Sequence, residues 1–217
     1  MPSTTPRQSS EKVMEMGNFT RGQKLSRDFY LCDGLEAAGK LLGKILVNDS
    51  PEGLTAGRIV ELEAYMGEND RGCHAYGGRR TTRTEIMYAE GGHAYVYLIY
   101  GMYCCMNIIV NRENIPHCIF LRALEPVEGI ELMKRRRGTD NLRQLCSGPG
   151  RLCIAMGIDK SLYGEDLCGE CLWLEDDGFV PPGIIRGRRV NIDYAGEDAE
   201  RDWRFAVRGS HYISSKI

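Results

Sequence analysis

From Ala94 to Val110 the side chains alternate with a period of two, break once at Tyr100-Gly101, and then resume. Ala94, Val96 and Leu98 take one parity and Tyr95, Tyr97 and Ile99 the other, the pattern of a half-buried strand. "MYCCMNIIV" repeats it after the break. Two such runs joined across a short glycine-containing break fold as an antiparallel hairpin. The middle of the chain is thereby committed to local antiparallel pairing. Tyr100 falls near the tip, where a ring has no core to fill, with Met102 and Tyr103 beside it.

Other elements follow from caps and breakers. "DGLEAAGKLLGKIL" reads as a helix capped near Asp33 and ending around Gly43. "LTAGRIVELEAY" is strand-like, and "HCIFLRALEP" gives another strand, stopped by Pro126. "PVEGIELMKRRRG" has Pro at a helix start, Glu in the first turn, basic residues in the last and Gly138 after it. "CSGPGRLCIAMG" reads as a helix with Ser147 at its N-cap and Gly157 at its end, and "RRVNIDY" and "WRFAVRGSHYI" as late strands. Residues 1–22 are polar and aperiodic, so they are expected to form a flexible N-terminal arm, with residues 23–217 as one domain. The sum is a mixed α/β chain with its strands concentrated in the middle.

Composition bounds the function. The net charge of −2 supplies no broad field for nucleic acid, so any such contact must come from local clusters. No apolar run approaches the roughly 18 residues that a membrane span needs, and no charged start followed by an apolar segment marks a secretory signal. Nine cysteines, an odd number, sit mostly in apolar runs (Cys104, Cys105, Cys118, Cys153), which favours free thiols in a reducing compartment. Cys168 and Cys171 form a lone C-x-x-C with no second pair, so no metal site is expected. The zinc-deaminase, phosphate-loop and G-x-S-x-G signatures are all missing.

Several stretches carry side chains suited to chemistry. Ile59, Glu61, Glu63 and Tyr65 share one face of a strand whose other face is Val60, Leu62 and Ala64. The plainer reading is a solvated face; the sharper one is a catalytic carboxylate beside an aromatic platform. As paired acids two residues apart, at about 3.3 Å per residue, Glu61 and Glu63 also leave a carbohydrate hydrolase open. "HAYGGRRTTRTE" combines His74 with Arg79, Arg80 and Arg83 around glycines, suited to a loop close to a phosphate chain or to an ordinary basic surface. "SGPGRLC" offers a helix N-terminus with Arg151 on its first turn. Lys134 to Arg137 add a third basic cluster, expected at a helix C-terminus on dipole grounds alone.

Taken together, "GRIVELEAYMGENDRGCHAYGGRRTTR", "YVYLIYGMYCCMNI", "LRALEPVEG" and "LCSGPGRLCIAMGI", in this order and at these spacings, closely resemble the alkyladenine (3-methyladenine) DNA glycosylase family. The resemblance runs from about Leu25 to Ser210. It implies an α+β domain with a central curved, largely antiparallel sheet, flanking helices and a protruding β-hairpin. It implies a monofunctional DNA repair enzyme that flips an alkylated or deaminated purine out of the duplex and hydrolyses its N-glycosidic bond, initiating base excision repair.

Residue by residue, the resemblance makes Glu63 the general base and Arg122 the residue that holds it and its water. Tyr65, His74 and Tyr97 become the aromatic walls of the base pocket, which favours cationic alkylpurines. Asn107 becomes the floor that obstructs the guanine amino group. Tyr100 becomes the plug that fills the vacated base stack, with Met102 and Tyr103 flanking it and Arg79, Arg83, Arg137 and Arg151 on the DNA backbone. Glu61 matches a position to which no chemistry is assigned. The family loop has Asn where this chain continues past Arg83 as Thr84-Glu85. Expected further are no metal or organic cofactor, duplex DNA with damaged purines as partner, no membrane, a monomeric state, and an intracellular place in a nucleus or a bacterial nucleoid.

Overall fold

The structure is a computed structural model that describes residues 21–217, so the expected arm lies almost wholly outside the described residues. The described chain is α+β. Its strands are β1 (Gln23–Lys24), β2 (Ile45–Ser50), β3 (Gly53–Tyr65), β4 (Ala94–Ile99), β5 (Tyr103–Val110), β6 (His117–Glu128), β7 (Leu172–Asp176), β8 (Ile184–Gly187) and β9 (Arg204–Val207). They form one sheet in the order β1-β7-β2-β3-β6-β5-β4, with β9 pairing the second half of β3 and β8 pairing β9. Every pairing is antiparallel.

Parity sorts the two faces of this sheet. Val60, Leu62 and Ala64 of β3, Ala94 and Val96 of β4, Met106 and Ile108 of β5 and Leu121 of β6 join one apolar core. Its helical cover is α2 (Gly34–Leu41), α3 (Ile130–Arg137) and α5 (Pro149–Met156), through residues such as Leu41, Met133 and Leu152. Asp33 caps α2, its carboxylate accepting from the Leu35 N–H at 2.9 Å. Two shorter helices, α1 (Arg27–Tyr30) and α4 (Leu142–Leu145), complete the set. On the opposite face, Cys73, Met87, Tyr88, Tyr95, Ile109 and Cys118 make a smaller cluster beneath the irregular segment that joins β3 to β4.

Four local expectations need correction. Pro126 neither stops β6 nor starts a helix: the strand runs to Glu128, and α3 begins at Ile130. Proline is tolerated there because the Gly57–Pro126 pair lies at a shift of register, the kind of place where a strand proline is admitted. The N-cap of α5 is Gly148, not Ser147. "RRVNIDY" holds no strand: β8 ends before it at Gly187, and the 3₁₀ segment Asp193–Glu200 follows. "WRFAVRGSHYI" is extended only over Arg204–Val207.

The β4–β5 connection is a tight turn at Tyr100-Gly101, with the Met102 N–H donating to the Ile99 carbonyl at 3.2 Å. Tyr100 has φ 52° and Gly101 φ 69°, the positive values at both central positions that a type I′ turn needs. Glycine takes such a conformation freely, whereas for a bulky residue it is uncommon and strained. Tyr100 is 80 % exposed and Met102 71 %. The strain therefore supports a ring that the core does not use.

Candidate active site

One row of cross-strand neighbours builds the site. Tyr95 on β4 faces Asn107 on β5, Asn107 faces Phe120 on β6, Phe120 faces Glu63 on β3, and Glu63 faces Arg204 on β9. Tyr65, Tyr97 and Arg122 lie along the same face. The register of β3 against β6 shifts on both sides of Glu61. Such bulges re-aim side chains, and Arg122 comes to touch Glu61 and Glu63 together.

The expectation of a solvated carboxylate face is overturned here. Glu61 and Glu63 are fully buried, because the chain after β8 and the segment Tyr212–Ser215 cover this end of the sheet. Glu63 Oε1 accepts from the Val190 N–H at 2.8 Å and lies 3.1 Å from Arg122 Nη1. Its Oε2 accepts from the Tyr65 hydroxyl at 3.0 Å. Burial pushes the Glu63 carboxyl above the usual carboxylate range, against the opposing pull of Arg122, the Val190 N–H and the Tyr65 hydroxyl. Glu61 is held through both oxygens: Oε1 accepts from Arg122 Nε at 2.9 Å, Arg204 Nε at 2.8 Å and the Ser214 hydroxyl at 2.8 Å, and Oε2 accepts from the Ser214 N–H. Glu61 is fully buried, paired with Arg122 and Arg204, and outside the cleft lining, unlike a second acid placed to meet a carbohydrate substrate.

In front of Glu63 opens a cleft of about 840 Å³, lined by Tyr65, His74, Tyr97, Asn107, Phe120 and Arg122 among others, with Tyr100 and Tyr103 at the hairpin end. Glu63 is not itself in the lining and meets it through Tyr65, Arg122 and Val190. His74 packs edge-on to Tyr97 with ring centroids 4.9 Å apart, and its Nδ1 is 2.9 Å from the Tyr95 hydroxyl. Burial, helped by Arg83 and Arg79, lowers the His74 pKa to about 4. The ring is neutral at physiological pH and does not repel a cation. Asn107 Nδ2 donates to the Tyr95 carbonyl at 3.3 Å, while its Oδ1 is 3.6 Å from Cys118 Sγ, so the amide is held from both ends.

Tyr65 is braced from behind. The Arg189 guanidinium lies 4.6 Å from the centre of the Tyr65 ring and 4.9 Å from that of Trp203. Both of its terminal nitrogens bind Asp70, at 2.5 and 2.7 Å, and both side chains are fully buried.

The basic residues fall into separate roles. Arg83 covers Tyr97 at 4.8 Å and lines the cleft. Arg137 and Arg151 line it beside the start of α5, where Gly150 lets Tyr103 approach: a Cβ there would stand 3.2 Å from that of Tyr103. Arg79 is exposed and outside the lining. Glu85 is taken up by Arg80 at 2.7 Å and leaves Arg79 and Arg83 alone. In the basic run, Arg136 binds Glu52 and Lys134 binds Glu131, so those two charges are spent on the fold. Among the described residues no group of three or more His, Cys, Asp or Glu converges as metal ligands, Cys168 and Cys171 included.

Sequence reasoning passed over Tyr95, Phe120, Val190, Arg189 and Arg204. Tyr95 and Phe120 were accessible to it, since they share the parity of Tyr97 and Arg122 on their own strands. The others reach the site from distant strands and loops, and nothing local marks them.

A carboxylate is thus buried between an arginine and a tyrosine, behind an aromatic cleft with an exposed hairpin at its mouth. The family model described as methylpurine-DNA glycosylase (MPG) matches residues 28–211, and the chain belongs to that family of DNA glycosylases. It is 46 % identical over 199 residues to a protein of Clostridium acetobutylicum, covering 88 % of this chain and 97 % of that one. It is 43 % identical over 202 residues to one of Desulfitobacterium hafniense, covering 89 % and 100 %. With one of the archaeon Methanocella arvoryzae it shares 46 % over 193 residues, covering 88 % and 96 %. All three carry the name "Putative 3-methyladenine DNA glycosylase". No helix among the described residues is long and apolar enough to cross a membrane.

Proposed function

We propose that this DNA glycosylase extrudes a damaged purine, 3-methyladenine among others, from duplex DNA into the aromatic cleft and hydrolyses its N-glycosidic bond. Glu63 carries the reading. Its Oε1 is occupied by Val190 and Arg122, while Oε2 has one partner, the Tyr65 hydroxyl, and so keeps acceptor capacity. A water at Oε2 gives its proton to Glu63 as its oxygen bonds to the sugar C1′, and the C1′–N bond breaks with its electron pair going to the purine. An alkylated, cationic purine leaves as a neutral base and needs little other help. The aromatic rings and the neutral His74 favour such a cation, and Asn107 rejects guanine by obstructing its amino group. No lysine lines the cleft, so the product is an abasic site with no Schiff base or strand cleavage. Arg79, Arg83, Arg137 and Arg151 hold the phosphates around the extruded nucleotide.

The test uses duplexes carrying one lesion each: 3-methyladenine, hypoxanthine, an etheno-adduct, or none. Release of free base and an alkali-labile site from at least the alkylated duplex is expected, with the undamaged duplex intact. No release from any lesion would overturn the reading.

Tyr100 is the wedge in this scheme. Its ring stands at the tip and is not needed by the core, so Tyr100→Ser should leave thermal melting unchanged. Affinity for a paired lesion should fall by about 1–3 kcal/mol, the worth of base–aromatic stacking. The loss should be smaller opposite a mismatch, where unpairing is partly done. Equal losses on both duplexes, or a collapsed melting point, would show that the hairpin is no wedge.

A further inference from the structure

The mechanism leaves Glu61 idle, yet with Asp70 it is among the most heavily bonded carboxylates of the described residues. It is fully buried and accepts from two guanidinium groups, a hydroxyl and a backbone N–H. Its partners are not ordinary core groups. Arg122 also contacts Glu63, at 3.1 Å. Ser214 and Ser215 line the cleft. Arg204 binds the Ser215 carbonyl and hydroxyl at 2.6 and 2.8 Å, and Arg122 Nη2 donates to the Ser214 hydroxyl at 3.2 Å. We infer that Glu61 is a positioning residue for base excision, fastening Arg122 and the cleft wall Ser214–Ser215 into one unit so that Arg122 meets Glu63 at a fixed distance and angle. This rests on the reading of Glu63 as the base.

Four charges make the unit neutral: Glu61 and Glu63 against Arg122 and Arg204. A structural plug would need only to be satisfied. This arrangement also sets the field at Glu63, because Arg122 is shared between the two carboxylates. The groups that face Glu63 are Arg122 from β6, Arg204 from β9, Arg189 and Tyr194 from the chain after β8, and Tyr65 from its own strand. Removing the Glu61 charge deletes a like charge beside Glu63, which favours the ionised form of Glu63. A less basic Glu63 with a misplaced Arg122 is a worse proton acceptor.

The experiment is base release under single-turnover conditions with enzyme saturating a lesion duplex, followed across pH for the parent, Glu61→Gln, Glu61→Asp and Glu63→Gln. Glu61→Gln should lower the plateau rate about 10- to 100-fold, the scale of a small misplacement of catalytic groups. It should also move the acid limb of the profile to lower pH. Glu61→Asp keeps the charge and should return the limb toward its parental position. A Glu61→Gln variant with parental rate and limb, or one whose rate falls only as far as its melting point while the limb stays put, would overturn the inference. Should Glu61→Gln fail to fold, Ser214→Ala decides. It removes a hydroxyl that donates to Glu61 and accepts from Arg122, and should slow release about 5- to 30-fold, the worth of one to two hydrogen bonds; a parental rate would overturn the inference. Parental release by Glu63→Gln would remove the base and this inference together. Loss of release in Glu63→Gln with an unmoved limb in Glu61→Gln would remove the inference alone.

Discussion

Glu63→Gln should abolish most base release while leaving lesion binding in place. The substitution fits the site: the amide oxygen can take the place of Oε1 toward Val190 and Arg122, and the amide nitrogen can donate to the Tyr65 hydroxyl, which turns to accept. What is lost is the proton acceptor. General-base catalysis contributes about 10²–10⁴-fold, or roughly 3–5 kcal/mol of barrier. The parental profile should fall on its acid side at a pH above the ordinary glutamate value of about 4.3, since burial raises Glu63 and it must be ionised to act. In the variant that limb should vanish. Single-turnover release and duplex affinity, measured side by side, check both halves. Near-parental release would take Glu63 out of the chemistry.

Asp70→Ala should cost the fold heavily, although Asp70 lies outside the cleft lining. Asp70 and Arg189 are both fully buried and share two short contacts. Asp70 also accepts from the Met66 and Gly72 N–H groups at 3.0 and 2.9 Å. Without the carboxylate a buried guanidinium stands unpaired, a defect of about 3–5 kcal/mol. For a chain of this length that is roughly 6–20 °C of melting temperature. Release should suffer beyond the loss of folded protein, because Arg189 braces the Tyr65 ring. Thermal melting and release measured well below the melting point separate the two effects. A shift of less than about 2 °C would show that the pair is not what holds this corner.

The legible part of this site was its parity. Period-two alternation told which residues share a face: Glu63 with Tyr65, Tyr95 with Tyr97, and Asn107 on the strand opposite. It could not tell whether that face is covered, and so Glu61 and Glu63 looked solvated. The cover comes from residues 188–194 and 212–215, more than a hundred positions away, and no local pattern announces it. Pro126 misled because a breaker's meaning depends on register. At a bulge a proline stops nothing, and bulges depend on both strands. The strands "ILVNDS" and "LWLED" went unread because short apolar runs carry weak signals until a neighbour pairs with them. Ser147 lost the N-cap to Gly148, whose φ of 134° suits glycine. The charge run at 134–137 was visible as charge, but its division between fold and cleft was set by Glu52 and Glu131.

The row from Tyr95 to Arg204 has a consequence for the order in which the molecule comes into being. Glu61 meets Arg204 across 143 positions and Ser214 across 153. Pairings of such span close late, after the local hairpins have formed. A ribosome releases Glu63, Tyr65, Tyr97 and Tyr100 long before it releases β9 and the serines at 214 and 215. A growing chain thus carries Glu61, Glu63 and the aromatic side chains before Arg204 and Ser214 exist to hold them, and on the proposed mechanism base release should arrive only once they do.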